Sequence, residues 1–380
     1  MLDEPPNVIT WREQRLRRVL TADPRPPVVL FGCGGLGRKT RRALTSAGVE
    51  VAAFADNDPE QWGQYIDRVP VLSPNEAARQ FGQDGVFVVT IWRAEGGHRF
   101  RETREAMSRL GCRRIESFIP LFWAFPEGTM PHITIDAPSR VIEQRRQVLQ
   151  AARLWADRRS LREYVAQVRW RLTGDFAALA DPEPDQYFAN GVVAARKDEV
   201  FVDCGAFTGD TLTDVARRLG TWSAYHAFEP DETSFAELER TAARLPAACA
   251  ATVHLHHAAT SATRCNAAFA DSGTSGAALS PQGAGTVQCV PLDEVLVNES
   301  PTFIKMDVEG AEAATLRGAW KTIRRSRPLL AISAYHRQAD LWQLPLLVAD
   351  ACSDYRLFLR PHIAEGFDLV LYAVPVERVP

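Results

Sequence analysis

Short apolar runs recur along this chain, and most are closed by a glycine or an acid before a stretch with helical spacing. Residues 28–31 are Val-Val-Leu-Phe and run into Gly32; residues 51–55 end at Asp56; residues 86–90 form a third run. After a long interval the pattern resumes. Residues 200–202 end at Asp203, 224–228 at Glu229-Pro230, and 303–306 at Asp307, with 253–256 and 329–333 as further runs. Runs apolar on both faces predict buried parallel strands. Periodic stretches over 38–47, 232–244 and 311–323 predict the helices between them. Two late runs, 355–359 and 369–374, follow without an intervening glycine loop. The pattern predicts an α/β protein with two Rossmann-like doubly wound sheets.

The stretches between the runs set the expected domains. Residues 1–27 read as a helical segment, with a helix over 9–20 anchored by Trp11 and Leu16. Residues 28–130 read as the first Rossmann-like domain and 131–185 as a helical connector rich in arginine, including Arg145, Arg146, Arg158, Arg159 and Arg162. Its apolar stripe is expected at Ile142, Leu149, Ala152, Trp155, Leu161, Tyr164, Val165 and Val168. Asp181-Pro182-Glu183-Pro184 breaks the helix, and 186–380 reads as the second sheet domain.

Composition narrows the classes. The 380 residues are 46% hydrophobic and 24% charged, the balance of a globular protein. A net charge of −3 gives no reason to expect nucleic acid or an anionic membrane as partner. No window reaches the ~18 uninterrupted apolar residues of a membrane span. The chain opens Met1-Leu2-Asp3-Glu4-Pro5-Pro6, where a secretory signal would be basic and then apolar. Seven scattered cysteines without a CxxC pair point to neither a disulfide framework nor a zinc knuckle. Cytoplasmic placement is the expectation.

Two glycine loops carry the candidate chemistry. Gly32-Cys33-Gly34-Gly35-Leu36-Gly37 is GxGxxG between a strand and a helix, with Asp56 near the offset of a ribose-binding acid. Gly34 and Gly37 would let a phosphate approach the helix amino terminus. The loop and Ala55-Asp56-Asn57-Asp58-Pro59 resemble the nucleotide- or nucleotide-sugar-binding domains attached to sugar-modifying enzymes. Such glycines also serve packing alone in many βαβ units, and no hydride-transfer site with a paired base follows. The second loop is Asp203-Cys204-Gly205-Ala206-Phe207-Thr208-Gly209-Asp210-Thr211. Gly205 and Gly209 permit close backbone approach to a ligand, and Asp210 or Thr211 can cap the next helix. Glu229, closing the next strand, can accept both ribose hydroxyls. Asp203 suits a positive group such as an amino-acid ammonium. A nucleoside bearing an amino acid is S-adenosyl-L-methionine.

Residues 199–211, Ala227-Phe228-Glu229-Pro230 and Ile304-Lys305-Met306-Asp307-Val308-Glu309-Gly310-Ala311-Glu312 resemble the FkbM family of S-adenosylmethionine-dependent methyltransferases, and Gln186-Tyr187-Phe188 and His336 also fit. The resemblance spans about 186–380. It implies a class I methyltransferase sheet of seven strands with a reversed last one, and O-methylation of sugars or other hydroxylated metabolites. Carried over, Gly205, Ala206, Phe207, Thr208 and Gly209 would wrap the methionine part, with Asp210 and Thr211 at the helix start. Glu229 and Pro230 would border the ribose, and His257 and Ala258 the adenine. His257-Ala258-Ala259 departs from the acid-plus-apolar pair common there.

Methyl transfer needs an acceptor oxygen held near the methyl group and a group to take its proton. His336 is the first candidate base, because histidine titrates near neutrality. Asp307 would orient acceptor or cofactor, and Glu309 is the third ionisable group at the mouth. Each also has a structural reading: a hydrogen-bonded strand-end histidine, or an acid favoured at a helix start. Catechol-type methyltransferases hold magnesium with an acid after strand four and an Asp-Asn pair after strand five. Ser333-Ala334-Tyr335-His336 lacks that pair, so no metal is expected. Glycines and small residues over 267–291 read as a lid or a surface hairpin. The competing functions are a nucleotide-sugar or NAD(P)-dependent enzyme using the first loop, and a non-catalytic binding protein. The expected partner is a small hydroxylated acceptor, a sugar or nucleotide sugar.

Overall fold

The apolar runs become two separate parallel sheets in a computed structural model, which describes residues 2–94, 97–270, 278–279 and 285–379. The chain divides into two compact units. One comprises Met1–Val148, Glu163–Asp181 and Ile363–Phe367; the other comprises Leu149–Arg162, Pro182–His362 and Asp368–Pro380. The arginine-rich stretch expected as a connector is therefore shared between the units.

In the first unit, helix α1 (Pro6–Leu20) buries Ile9, Leu16 and Leu20. Trp11 does not anchor it: the ring is 52% exposed, because it lies off the stripe those three residues define. The sheet contains β1 (Val28–Phe31), β2 (Ala53–Ala55), β3 (Tyr65–Ile66), β4 (Val69–Leu72), β5 (Val86–Val89) and β6 (Arg114–Ser117). Its order is β3-β4-β2-β1-β5-β6, parallel except for the β3–β4 pair. The short, polar β3 and β6 carry little apolar signal and are not among the expected strands. Helices α2 (Gly35–Ser46), α3 (Pro74–Phe81), α4 (Phe100–Arg109), α5 (Phe118–Ala124), α6 (Pro138–Glu143) and α7 (Arg145–Ala151) follow in order, and α8 (Arg158–Thr173) crosses the division between the units. Among the stripe residues expected here, Tyr164 and Val168 are buried, whereas Leu149, Leu161 and Val165 are exposed. Val148, Trp170 and Leu172 fill the core instead, so the buried stripe is rotated from the expected one.

The second unit carries β7 (Val200–Cys204), β8 (Ala224–Phe228), β9 (Val253–His256), β10 (Ala259–Thr260), β11 (Cys265–Ala270), β12 (Ala278–Leu279), β13 (Gly285–Val290), β14 (Phe303–Met306), β15 (Leu329–Ser333), β16 (Tyr355–Pro361) and β17 (Leu369–Pro375). Seven of them form one sheet in the order β16-β17-β15-β14-β7-β8-β9. Only β17 runs against its neighbours. This is the seven-stranded sheet with one reversed strand. A four-stranded sheet, β10-β13-β11-β12, was not expected; the central part of the expected lid, 271–277 and 280–284, lies outside the described residues. The helix expected over 311–323 is two helices, Glu312–Arg317 and Trp320–Ser326, parted at Gly318. A Cβ at Gly318 would lie 2.0 Å from the Ser261 carbonyl, so the close approach demands glycine.

Period-two alternation orders the core. Phe201 on β7 stacks between Tyr225 on β8 and Phe303 on β14, at centroid distances of 5.1 and 4.5 Å. Two residues further along, the same face carries Asp203 and Lys305, which are directly opposed in the β7–β14 register. Helices α9 (Asp210–Leu219) and α10 (Glu232–Ala243) follow β7 and β8.

One partly buried base ties the stability of the first unit to pH. The His132 ring packs near Trp92, Phe118 and Phe122, and its Nδ1 accepts from Lys39 Nζ at 3.4 Å. Burial first, then the Lys39 charge, pushes its pKa down to about 4. The folded state therefore prefers the neutral ring. The stabilisation is complete above the unfolded value of ~6.5 and is lost as pH falls towards about 4. Urea unfolding between those pH values should show a falling stability whose slope is smaller in His132→Phe. Equal slopes in the two proteins would refute this assignment.

Candidate active site

The second glycine loop is built by three left-handed residues: Gly205 at φ +82°, Phe207 at +46° and Gly209 at +88°. The Gly205 and Ala206 N–H groups both donate to the Phe228 carbonyl, at 3.0 and 2.9 Å, and Gly209 N–H donates to Ala206 at 2.9 Å. A Cβ at Gly205 would lie 1.9 Å from the Asp307 carbonyl oxygen, so the loop rests directly on the segment after β14. Thr208 and Phe207 are half-buried, Asp210 is exposed and Thr211 is buried in the first turn of α9.

Glu229 laces this loop to the next one. Its Oε2 accepts the Phe207 N–H and its Oε1 the Asp231 N–H, both at 2.8 Å. Burial raises its pKa, against the pull of these two donors and of Lys305. Each carboxylate oxygen keeps a second lone pair. Beside it, the exposed His257 ring stacks on Phe235 at 4.6 Å, and its Nε2 lies 3.1 Å from the Pro230 carbonyl. Ala258 is buried next to it. The structure thus brings Glu229, Pro230, His257 and Ala258 together at the carboxyl ends of β8 and β9.

Asp203 requires a correction. It was expected to face a ligand's ammonium, but it is fully buried and the cation opposite it is Lys305, with Nζ 2.9 Å from Oδ1. Tyr225 Oη donates to Oδ2 at 2.7 Å. Lys305 Nζ also donates to the Gly205 carbonyl at 2.6 Å. Burial alone would lower the Lys305 pKa; the surrounding acids, Asp203 foremost, raise it instead, so the amine stays charged. Asp203 acts on the loop through Lys305 rather than on a ligand.

At the ends of β14 and β15 the candidate catalytic residues meet. Asp307 Oδ2 accepts from Tyr187 Oη at 2.9 Å, and Asp307 Oδ1 lies 3.4 Å from His336 Nε2. Glu309, held at φ +50°, brings Oε2 to 3.6 Å from the same nitrogen. His336 Nδ1 is 2.8 Å from Oε1 of the buried Glu312, which also accepts the Val308 and Gly310 N–H groups. The His336 side chain is 5% exposed. Burial by itself would depress its pKa, but Glu312, Glu309 and Asp307 together lift it well above the ordinary histidine value. The histidine expected as a free base is therefore not free at the mouth: its ring is buried among the carboxylates of Asp307, Glu309 and Glu312.

A seven-stranded sheet of this order, with a glycine loop after β7 and an acid closing β8, defines a class I methyltransferase domain. Residues 203–367 match the model of the methyltransferase FkbM domain. The fold is similar to that of methyltransferase FkbM from Methylobacillus flagellatus KT, with a TM-score of 0.77 over 97% of this chain and 93% of that one, at 24% identity. A segment of 117 residues, 30% of the chain, is 27% identical to the redox-sensing transcriptional repressor Rex of Roseiflexus sp. (strain RS-1). It spans 52% of that relative, about half its length. The carboxyl-terminal domain belongs to the FkbM methyltransferase family, and it is an S-adenosylmethionine-dependent methyltransferase domain. Fold and family together imply binding of S-adenosylmethionine.

Four residues that shape the site had no role assigned from sequence: Lys305, Tyr225, Tyr187 and Glu312. Lys305 carried a signal, as the one charge inside the run Phe303-Ile304-Lys305-Met306. A lysine in a strand buried on both faces needs a buried acid, and Asp203 was available. Lys305→Met leaves that acid buried without its cation, and should cost about 3–5 kcal/mol of unfolding free energy. Chemical denaturation measures it; a loss below about 1 kcal/mol would show that the pair is not the support argued here.

Proposed function

We propose that the protein transfers the methyl group of S-adenosylmethionine to a hydroxyl of a small acceptor, a sugar or related metabolite. The observation that carries this reading is the contact between Gly205 and the Asp307 carbonyl, which sets the glycine loop against the acidic cluster. Bound by the loop, S-adenosylmethionine would supply an activated methyl group near Asp307 and Glu309. Residues 205–209 would hold the methionine part, with Asp210 and Thr211 at the start of α9. Glu229, with its remaining lone pairs, and Pro230 would border the ribose, and His257 and Ala258 the adenine. In the transfer the S–CH3 bond breaks as the O–CH3 bond forms, and the electron pair stays on sulfur as a neutral thioether. The hydroxyl proton goes to Asp307 or Glu309, the carboxylates that flank the His336 ring. Hydroxyl rather than amine acceptance is supported by this ring of carboxylates, which suits taking a proton from a neutral O–H.

The first glycine loop supports a second binding role. Gly34 and Gly35 face open space, Gly37 packs against Gly32, and Asp56 Oδ2 accepts the Cys33 N–H at 2.8 Å. A nucleotide, or the nucleotide part of a nucleotide-linked sugar, fits such a helix start. Among the described residues no helix is long and apolar enough to cross a membrane. The seven free cysteines accord with a reducing, cytoplasmic setting.

Calorimetric titration of the full chain with S-adenosylmethionine should show binding, and Glu229→Ala should weaken it at least tenfold, or about 1.4 kcal/mol. Transfer of labelled methyl should then appear in a screen of sugars and nucleotide-linked sugars. No cofactor binding by the parent protein would sink the reading.

A further inference from the structure

We propose that the ends of β14 and β15 form a divalent-cation site, with His336 Nε2, Asp307 Oδ1 and Glu309 Oε2 as ligands. The spacing is the first argument. Nε2 lies 3.4 Å from Asp307 Oδ1 and 3.6 Å from Glu309 Oε2. A charged N–H···O bond would close to about 2.7–2.9 Å. Donor atoms set about 2.1 Å from one ion stand roughly 3–3.5 Å apart; the 3.4 Å separation falls within that range and the 3.6 Å separation just beyond it.

The second argument is what each group leaves unused. Tyr187 occupies Oδ2 of Asp307, and Oδ1 is buried with no hydrogen-bond partner. Glu312 engages His336 at Nδ1, and Nε2, on a side chain 95% withdrawn from solvent, is likewise without one. A histidine whose Nδ1–H is held by a buried carboxylate has its Nε2 lone pair fixed in direction, the arrangement that supports metal-bound imidazole. Asp307, Glu312 and His336 can offer ligand atoms all within 4.8 Å of one another. Glu312 serves as the outer partner in this scheme, since its Oε1 is already committed to Nδ1 and two backbone donors.

Charge is the third argument. Three carboxylates face one imidazole, and a divalent ion among them would compensate their charge directly. One imidazole nitrogen with two carboxylate oxygens suits manganese, cobalt or zinc better than calcium. No metal was expected because the Asp-Asn pair after the fifth strand is missing. His336 and the acids after β14 supply the ligands instead. Its role in catalysis rests on the function proposed above: an ion here would lower the pKa of a bound acceptor hydroxyl. Ion binding itself does not depend on that function.

The test uses the full chain, stripped with a chelator and titrated with Co(II) followed by visible absorption, and with Mn(II) followed by electron paramagnetic resonance. One ion per chain is expected. Glu309→Gln and His336→Gln should abolish the signal, and Glu312→Gln should weaken binding by 10–100-fold. Circular dichroism checks folding, and the half-buried Glu309→Gln serves if the histidine variant unfolds. No binding of either ion at millimolar concentration, or binding indifferent to both Glu309→Gln and His336→Gln, overturns the proposal. Cofactor titration of the stripped protein is read separately, so a failure here is distinguishable from a failure of the methyltransferase reading.

Discussion

The buried pair Lys305–Asp203 is the constraint on which the second unit depends. Two opposite charges with 3% and 0% side-chain exposure sit directly across from each other at the ends of β14 and β7. Taking them out of water is costly, and their attraction offsets the cost only while the geometry is held. The aromatic stack of Phe201, Tyr225 and Phe303 holds it from below, and the Tyr225 hydroxyl adds a hydrogen bond to Asp203. In return, Lys305 fixes the Gly205 carbonyl. A slip of one residue between β7 and β14 would put the two charges on opposite faces of the sheet, so the pair also specifies register.

The two units repeat one local device. In each, the acid closing the second strand accepts a backbone N–H from the glycine loop after the first: Asp56 from Cys33, Glu229 from Phe207, both at 2.8 Å. A short apolar strand ending in a tight loop leaves N–H groups that helix and sheet cannot satisfy. An acid on the neighbouring strand satisfies one of them and leaves lone pairs over for a ligand. Ribose-binding acids are well suited to this because the same carboxylate shapes the loop and meets the sugar. Among the described residues, the second unit adds an ionisable cluster at the next strand ends: Asp307, Glu309 and His336.

Much of this was legible in the sequence, for physical reasons that differ by element. The strands β7, β8 and β14 are short, largely buried and followed by a glycine or an acid, and a strand of that kind admits few other readings. Glu229 was legible as a strand-end acid. Asp203 was misread because alternation shows which face a side chain takes, not what stands opposite; that needs the β7–β14 register, a pairing across about a hundred residues. His336 was placed correctly at a strand end, but its charge depends on Glu309 and Glu312, whose approach follows from the left-handed turn at Glu309 and Gly310. Trp11 and the displaced stripe in α8 show a different failure, since helical periodicity alone does not fix which apolar residue faces the core.

The geometry of the proposed transfer is then a matter of backbone contact more than of side-chain reach. Gly205 touches the Asp307 carbonyl, and Lys305, two residues earlier on β14, bonds to Gly205 from the other side. Loop and acid cluster are thereby tied at two points, so the distance between a cofactor on the loop and a proton acceptor beyond β14 cannot drift independently. In a displacement at an already activated sulfonium carbon, most of the available acceleration comes from alignment. A rigid mount serves that need better than a mobile base. The buried ion pair supplies the mount, and Asp307, on the residue after Lys305's neighbour Met306, inherits its position from it.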